Sequence, residues 1–437
     1  MNNPPPSKPA DPRFAGRDWR TIKVSELVNP DDLRFVEADT TVEAATNLLV
    51  DSGAPLLLIR ETPQSQSVIG TFDYTDLNAY LLLVVGLAHP DEAHIAGYNE
   101  IARKAKEGSK MSLKNIEDIG SKSDPLVFIA DTGDLSKAVE IFGGGVHRIV
   151  VVEEGTQKAV GILSQSRLVR FLWENVRAFP VLEQLYHQNL RDLRIGGQQP
   201  IGINGDKPLA EALTLLLNEG ISSLAVLDNA RNVIGNISTV DVKLLTKSSS
   251  IPLLHNTCIH FISVILSTRG MEEGKDSFPV FHVTPLSTLA HTVAKLVATK
   301  AHRMWITDPQ SPSSSAPPTP SASHASLVPT TSHSSASPAN PSNSSTPSTS
   351  SIPATPPSAT TPFIAPSGPS ISASALSGSM LSGHLVGVIS LTDVLNLFAR
   401  ASGLQPRDPS ETRQARRRSS SSSARKSVDF SFLKGQK

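Results

Sequence analysis

Residues 209–241 read LAEALTLLLNEGISSLAVLDNARNVIGNISTVD, and this stretch decides the fold. Leu209–Glu219 carries apolar residues at helical spacing, and Gly220 stands where that helix must stop. Ser223–Leu227 reads as a short apolar strand, Asp228–Asn232 as a turn and Val233–Ser238 as the partner strand. Thr239–Leu245 then opens a closing helix. With a strand upstream, the unit reads strand–helix–strand–strand–helix.

The same unit recurs. Its ending, glycine followed by two apolar residues and then a Ser/Thr-x-x-Asp-like group, appears as GTFDYTD (Gly70–Asp76), GILSQSR (Gly161–Arg167), GNISTVD (Gly235–Asp241) and GVISLTD (Gly387–Asp393). A helix running into a strand precedes each: VEAATNLLVDSGAPLLLIR, LSKAVEIFGGGVHRIVVVE, LAEALTLLLNEGISSLAVLD and LSTLAHTVAKLVATKAHRMWITD. Two linked blocks in four copies define a repeat protein. A unit of roughly fifty to sixty residues cannot cover its own sheet, so neighbours must pair, 1 with 2 and 3 with 4.

The motif glycines are 91, 74 and 152 residues apart. The first gap holds a helix-like connector near 94–108. The last holds a Ser/Pro/Thr/Ala stretch, residues 309–380, without a single Asp, Glu, Lys or Arg. Such a stretch cannot bury enough apolar area to offset its chain entropy and is expected to be disordered. It leaves unit 4 after Arg303–Thr307 and returns at Leu385–Ser390, inside a hairpin; closure entropy rises only logarithmically with loop length. The expected division is a disordered 1–20, repeat 1 at 21–83, a helical connector at 84–118, repeat 2 at 119–175 and repeat 3 at 196–247. Repeat 4 spans 276–400 around the insertion, and a disordered basic, Ser-rich tail fills 401–437.

Composition excludes several classes. The net charge is zero, which removes global steering toward nucleic acid or an anionic membrane. One cysteine, Cys258, rules out an internal disulfide framework and a Cys-based zinc site, and fits a reducing compartment. The start MNNPPPSKPADPR has no apolar signal core, and the longest apolar run, Ala79–Ala88, is about half a membrane span. A soluble intracellular protein is expected. Gly143-Gly144-Gly145 lacks the Gly-Lys-Ser/Thr of a Walker loop, and no GxSxG, HExxH or kinase set is present. His255 and His260 lack a third metal ligand, so neither an enzyme nor a metal site is expected.

These units resemble CBS domains, and the pattern is similar to the gamma subunits of AMP-activated protein kinase. There the second and fourth repeats carry a His-Arg pair before the first core strand; here these are His147-Arg148 and His302-Arg303. The gamma pattern also puts arginine at the acidic position of repeat 2, as Arg167 stands here. The ending GHLVGVISLTDVLNLFARASGL, the tail DPSETRQARRRSSSSS and the insertion in repeat 4 are together similar to a fungal family whose members were named as suppressors of phosphatase defects in mitosis. The resemblance implies an α/β fold of four CBS repeats (β-α-β-β-α) in two tandem Bateman-type pairs. It implies AMP, ADP or ATP as regulatory ligands with no required cofactor, and a non-catalytic regulator that inhibits PP2A-type phosphatases. It further implies a role in DNA replication and cell separation in cytoplasm and nucleus. The alternative it leaves is a gamma-type subunit of an AMP-activated kinase complex.

A nucleotide needs an acceptor for ribose hydroxyls, cations for phosphate and an apolar slot for the base. A carboxylate in the first turn of a helix can accept the hydroxyls while neighbouring N–H groups face the ligand, which makes Asp76, Asp241 and Asp393 candidates, with Ser390 and Thr392 adding hydroxyls. The same spacing also makes a capping box, and both readings stand. His147, Arg148, His302 and Arg303 are the phosphate candidates, arginine for its fixed charged donors and histidine for charge it gains near an anion. Arg167 cannot accept ribose hydroxyls, so its copy is either empty or sends a cation to a neighbour. Ser222 and Ser223 replace His-Arg in repeat 3, which must borrow its cations. Ser311, Thr319, Ser337, Thr346, Thr355 and Thr361 precede proline, and Arg417-Arg418-Ser419-Ser420 resembles a basophilic kinase site. Phosphate on Ser419 or Ser420 would add negative charge beside the arginines and weaken electrostatic contacts.

Overall fold

Four times along the chain, a short strand, a helix, a strand hairpin and a closing helical segment follow in that order. The computed structural model describes residues 10–88, 95–116, 125–197, 199–273, 282–308 and 383–409. Unit 1 comprises β1 (Phe35–Glu37), α1 (Val42–Ser52), β2 (Leu57–Arg60), β3 (Gly70–Phe72) and α2 (Tyr74–Val84), with α3 (Ile95–Lys106) following as the connector. Unit 2 comprises β4 (Phe128–Ala130), α4 (Leu135–Gly143), β5 (Arg148–Val152), β6 (Ala159–Ser164) and α5 (Gln165–Glu174), followed by α6 (Pro180–Tyr186). Unit 3 comprises β7 (Gly202–Asn204), α7 (Leu209–Glu219), β8 (Ser223–Leu227) and β9 (Val233–Ser238), and α8 (Cys258–Glu273) leads toward unit 4. Unit 4 comprises β10 (His282–Val283), α9 (Leu289–Thr299), β11 (Arg303–Asp308), β12 (His384–Ser390) and α10 (Leu391–Ala401).

The described residues form four three-stranded sheets of identical plan. In each, the leading strand runs parallel to the first hairpin strand, which pairs antiparallel with the second. Arg148 lies opposite Ser164, Ser223 opposite Ser238 and Arg303 opposite Ser390, so the units align residue by residue. The sequence reading of α7, β8 and β9 coincides with the observed bounds. The segment closing unit 3, Thr239–Leu245, is a 3₁₀ rather than an α-helix. Gly220 ends α7 at φ 61°, a left-handed position that glycine adopts without a Cβ penalty.

Each unit is buried on two sides. The sheets of units 1 and 2 meet through Leu58, Val68, Val150 and Ile162, and those of units 3 and 4 through Ala225, Leu227, Trp305 and Leu385. These are the sequence-adjacent pairs. Helices then join the pairs crosswise: α4 and α5 of unit 2 share a core with α9 and α10 of unit 4, while α2 of unit 1 lies against α7 and Thr239–Leu245 of unit 3. The helical faces carry the longer apolar side chains, among them fully buried Phe142, Tyr186, Phe261 and Phe398.

The two members of a pair also exchange backbone. The first N–H of each first helix donates to a carbonyl in the segment that leads into the partner unit: Val42 to Met111 and Leu135 to Ile22 (both 2.8 Å), Leu209 to Asn256 (2.8 Å) and Leu289 to Gln188 (2.9 Å). The leading segment donates back, Leu113 to Thr40, Val24 to Gly133, Cys258 to Lys207 and Leu190 to Ser287. Helix N-termini have no internal acceptor for these groups, so each unit is capped by its partner. Thr41 and Thr288 add side-chain caps, whereas Asp134 and Pro208 do not.

Two segments expected to be disordered carry definite structure among the described residues. Within 1–20, Phe14 and Trp19 are buried in the core shared by units 2 and 4. Within 401–437, residues 402–409 follow a fixed path, with Ser402 held by Trp19 Nε1 (3.1 Å, onto its Oγ) and by Arg20 Nη1 (2.7 Å, onto its carbonyl). A few aromatic and polar anchors in Pro-rich surroundings were enough, and composition averages them away. The insertion and the six Ser/Thr-Pro positions, with Ser419 and Ser420, lie outside the described residues.

The motif glycine is where leading segment and partner sheet touch most closely. A Cβ on Gly387 would lie 2.2 Å from the carbonyl oxygen of Gly196, which is backbone and cannot swing aside. Gly387→Ala is therefore expected to cost about 1–3 kcal/mol, as overpacking does, read from the denaturant midpoint; a loss under about 0.5 kcal/mol would contradict this close approach. Cys258 is fully buried, and burial pushes its thiol up to about 12. The native protein is expected to resist iodoacetamide at pH 8 and to react on unfolding; rapid native labelling would show that α8 detaches.

Candidate functional site

The second helical segment of units 2, 3 and 4 starts against the residue just before its own hairpin. The N–H groups of Gln165, Thr239 and Leu391 donate to the carbonyls of His147, Ser222 and His302, each at 3.0 Å. This bond sets the helix start, with its acidic position, beside the strand start, with its His-Arg position. In unit 4, Asp393 Oδ2 accepts from the N–H (2.8 Å) and the hydroxyl (2.7 Å) of Ser390. The capping box is present, and Asp393 remains partly exposed on the wall of a cleft.

That cleft, about 740 Å³ and open to solvent, lies where units 2, 3 and 4 meet. Unit 4 contributes His302, Arg303, Val388, Ser390, Thr392 and Asp393. Unit 2 contributes Gly144, Gly145, His147 and Gln165, and unit 3 contributes Gly220 and Ile221. The rings of His147 and His302 are stacked, with centroids 5.8 Å apart and an interplanar angle of 18°. Arg303 Nη2 reaches Ser222 Oγ at 3.5 Å, which carries the unit 4 cation toward the unit 3 strand start. Gln165, 2 % exposed, donates from Nε2 to the carbonyl of Val146 (2.8 Å) and to Thr392 Oγ1 (2.9 Å), joining the two helix starts across the unit 2–unit 4 interface. The wall of one cleft thus carries an aspartate carboxylate, two imidazoles and a guanidinium beside glycine, isoleucine and valine. Such a set of groups can accept hydroxyls, hold an anion and contact a flat apolar group.

The other candidates lie elsewhere. Asp76 lines a separate cleft of about 540 Å³ on unit 1, with Glu61, Phe72 and Lys114. Arg148 turns from the shared cleft to Asp73, pairing Nη1 to Oδ2 at 2.9 Å with both side chains largely buried. Asp73 stands where units 2, 3 and 4 have serine, so this carboxylate takes the cation that the pattern would offer to phosphate. Asp241 is 3 % exposed, accepts from the N–H (2.7 Å) and hydroxyl (2.8 Å) of Ser238, and is not on the wall of either cleft. Arg167 donates to the carbonyl of Leu27 (3.2 Å) and pairs with Asp32, both in the segment leading into unit 1. Gln165, the glycine pair and Pro409, which also lines the cleft, escaped the sequence reading. The triple glycine was visible, but only as a failed Walker loop. Among the described residues, no group of three or more His, Cys, Asp and Glu side chains is placed to hold a metal ion, and no helix is long and apolar enough to cross a membrane.

The family described as CBS domain matches residues 116–174 and 194–245, the second and third units. A protein named sds23 from Aspergillus niger is 60% identical over 424 residues, covering 97% of this chain and 80% of that protein. Its namesake from Aspergillus clavatus is 63% identical over 435 residues, with 98% and 83% covered. This chain belongs to the Sds23 family of CBS-domain regulatory proteins. A solved protein of Methanocaldococcus jannaschii is similar at 13% identity and a TM-score of 0.49, over 66% of this chain and 93% of that one, too slight a likeness to build on. For the family member in hand, the cleft geometry depends on Gln165. Replacing it by leucine leaves the Val146 carbonyl and the Thr392 hydroxyl without their buried donor. Gln165→Leu is expected to destabilise the protein by about 1–3 kcal/mol in urea; an unchanged midpoint would show that the link between helix starts is dispensable.

Proposed function

We propose that this protein is a non-catalytic regulator that binds an adenine nucleotide in the cleft between units 2, 3 and 4. The observation that supports this is the convergence of Asp393, His147, His302 and Arg303, from two different units, on one cleft. In this reading Asp393 accepts the ribose hydroxyls, Ser390 and Thr392 contribute hydroxyls beside it, and Ile221 and Val388 bound the adenine. His147, His302 and Arg303 hold the phosphates. Bound nucleotide acts by favouring one arrangement of the two pairs, and it signals only in so far as its affinity differs between arrangements. The proposed target is a PP2A-type phosphatase, which the protein inhibits in cytoplasm and nucleus. Stable co-purification with alpha and beta kinase subunits would instead make it a kinase gamma subunit.

The deciding experiment is calorimetric titration of AMP, ADP and ATP against the full chain. Asp393→Ala and Arg303→Ala are each expected to weaken the tightest-bound nucleotide about tenfold or more, the loss of a charged partner from a desolvated site. Arg148→Ala and Asp241→Ala are expected to leave it within about twofold of the unsubstituted affinity. Equal affinity in all five proteins would sink the assignment of this cleft.

A further inference from the structure

The segment after α10 runs to the cleft and reaches its wall with Pro409. α10 ends at Ala401, and Ser402 is fastened by Trp19 and Arg20 of the N-terminal segment. Gly403 turns the chain at φ 80°, and the Leu404 N–H donates to the Ala399 carbonyl at 2.9 Å. From there Ser402, Leu404 and Pro406 are partly buried while Gly403, Gln405 and Arg407 are exposed, the alternation of an extended strap laid on a surface. The surface is the triple glycine of unit 2. A Cβ on Gly143 would meet Pro406 Cβ at 2.5 Å, and a Cβ on Gly145 would meet Pro409 Cβ at 3.9 Å. Pro409 then stands on the wall of the cleft beside Gly144 and Gly145, on the side that carries His147.

We infer that residues 402–409 are a nucleotide-binding element in their own right: a strap held in place by Gly143–Gly145, with Pro409 contacting the bound nucleotide at the unit 2 side of the cleft. This inference rests on the proposed nucleotide reading of that cleft. Gly143 has no room for a side chain between Pro406 and Asn396, and Gly145, at φ 84°, lies in ordinary contact with Pro409. Proline suits the wall position, since its fixed φ lowers the entropy lost when a bound ligand immobilises it. Coupling of this kind is reciprocal. If the strap strengthens nucleotide binding, nucleotide must strengthen the seating of the strap by the same factor.

Reciprocity supplies the test, on the full chain. Amide hydrogen exchange is measured with and without saturating AMP, and AMP affinity is measured for Pro409→Gly, a change at a partly buried strap position outside both cores. The expected result is slower exchange at residues 403–408 together with 302–304 and 391–393, and AMP binding weakened about threefold or more in Pro409→Gly. Slowing at 302–304 and 391–393 with the strap unchanged, and Pro409→Gly binding as tightly as the parent chain, would overturn the strap while keeping the nucleotide site. No slowing in any of these segments would overturn the nucleotide reading itself, and the strap with it.

Discussion

Everything in this structure hangs on a helix N-terminus that cannot satisfy itself. Four first helices each present a first N–H with no acceptor within the unit, and each finds one in the segment leading into its partner. The bond is reciprocal in both pairs, so neither member of a pair is complete alone. An unmet buried donor costs about 1–3 kcal/mol, and here two such bonds per unit are made or lost together. Pairing is thereby enforced by backbone chemistry as well as by apolar area, which explains why side-chain capping lapses at Asp134 and Pro208 without loss of the helix.

The same economy of backbone bonds builds the cleft. The Leu391 N–H on the His302 carbonyl fixes the acidic helix start beside the basic strand start, whatever side chains those positions carry. Crosswise packing of α4 and α5 on α9 and α10 then brings the equivalent position of unit 2 alongside, and the two imidazoles stack. Gln165 closes the remaining gap between helix starts through Thr392. The cleft is therefore a property of two interfaces at once, the sheet pairing of units 3 and 4 and the helical joining of units 2 and 4.

How much of this could be read from residues divides along the same line. The first helix and the hairpin of unit 3 were legible to the residue, because the helix period, the stop at Gly220 and the apolar strands are local signals. That His147 and His302 hold equivalent positions was legible from the repeated motif; that their rings stack was not, since it depends on the crosswise packing of unit 2 on unit 4. The partner of Arg148 was not. Asp73 departs from the serine of the other units by one residue, and only the structure shows that this carboxylate reaches across to unit 2. Nor could Pro409 be found, because a strap has no period and its anchors, Trp19 and Ser402, are far apart in sequence.

Four equal frames have become four different environments through the leading segments. In units 2, 3 and 4 the segment crosses to its partner and comes to rest at the motif glycine, with different chemistry each time. Val28 and Asp32 reach unit 2, where Val28 crowds Gly161 and Asp32 pairs with Arg167. Ile262 of α8 crowds Gly235 in unit 3, and the Gly196 carbonyl presses on Gly387 in unit 4. In unit 1, among the described residues, a Cβ on Gly70 would meet Ile59 at 3.4 Å, and the cleft with Asp76 is lined by Leu113 and Ile116 of the leading segment. Arg167 is thus explained by its neighbour rather than by a ligand. A cation stands at that position because an incoming carboxylate from the same chain already fills the role an anion would play, and an aspartate there would meet Asp32 as a like charge.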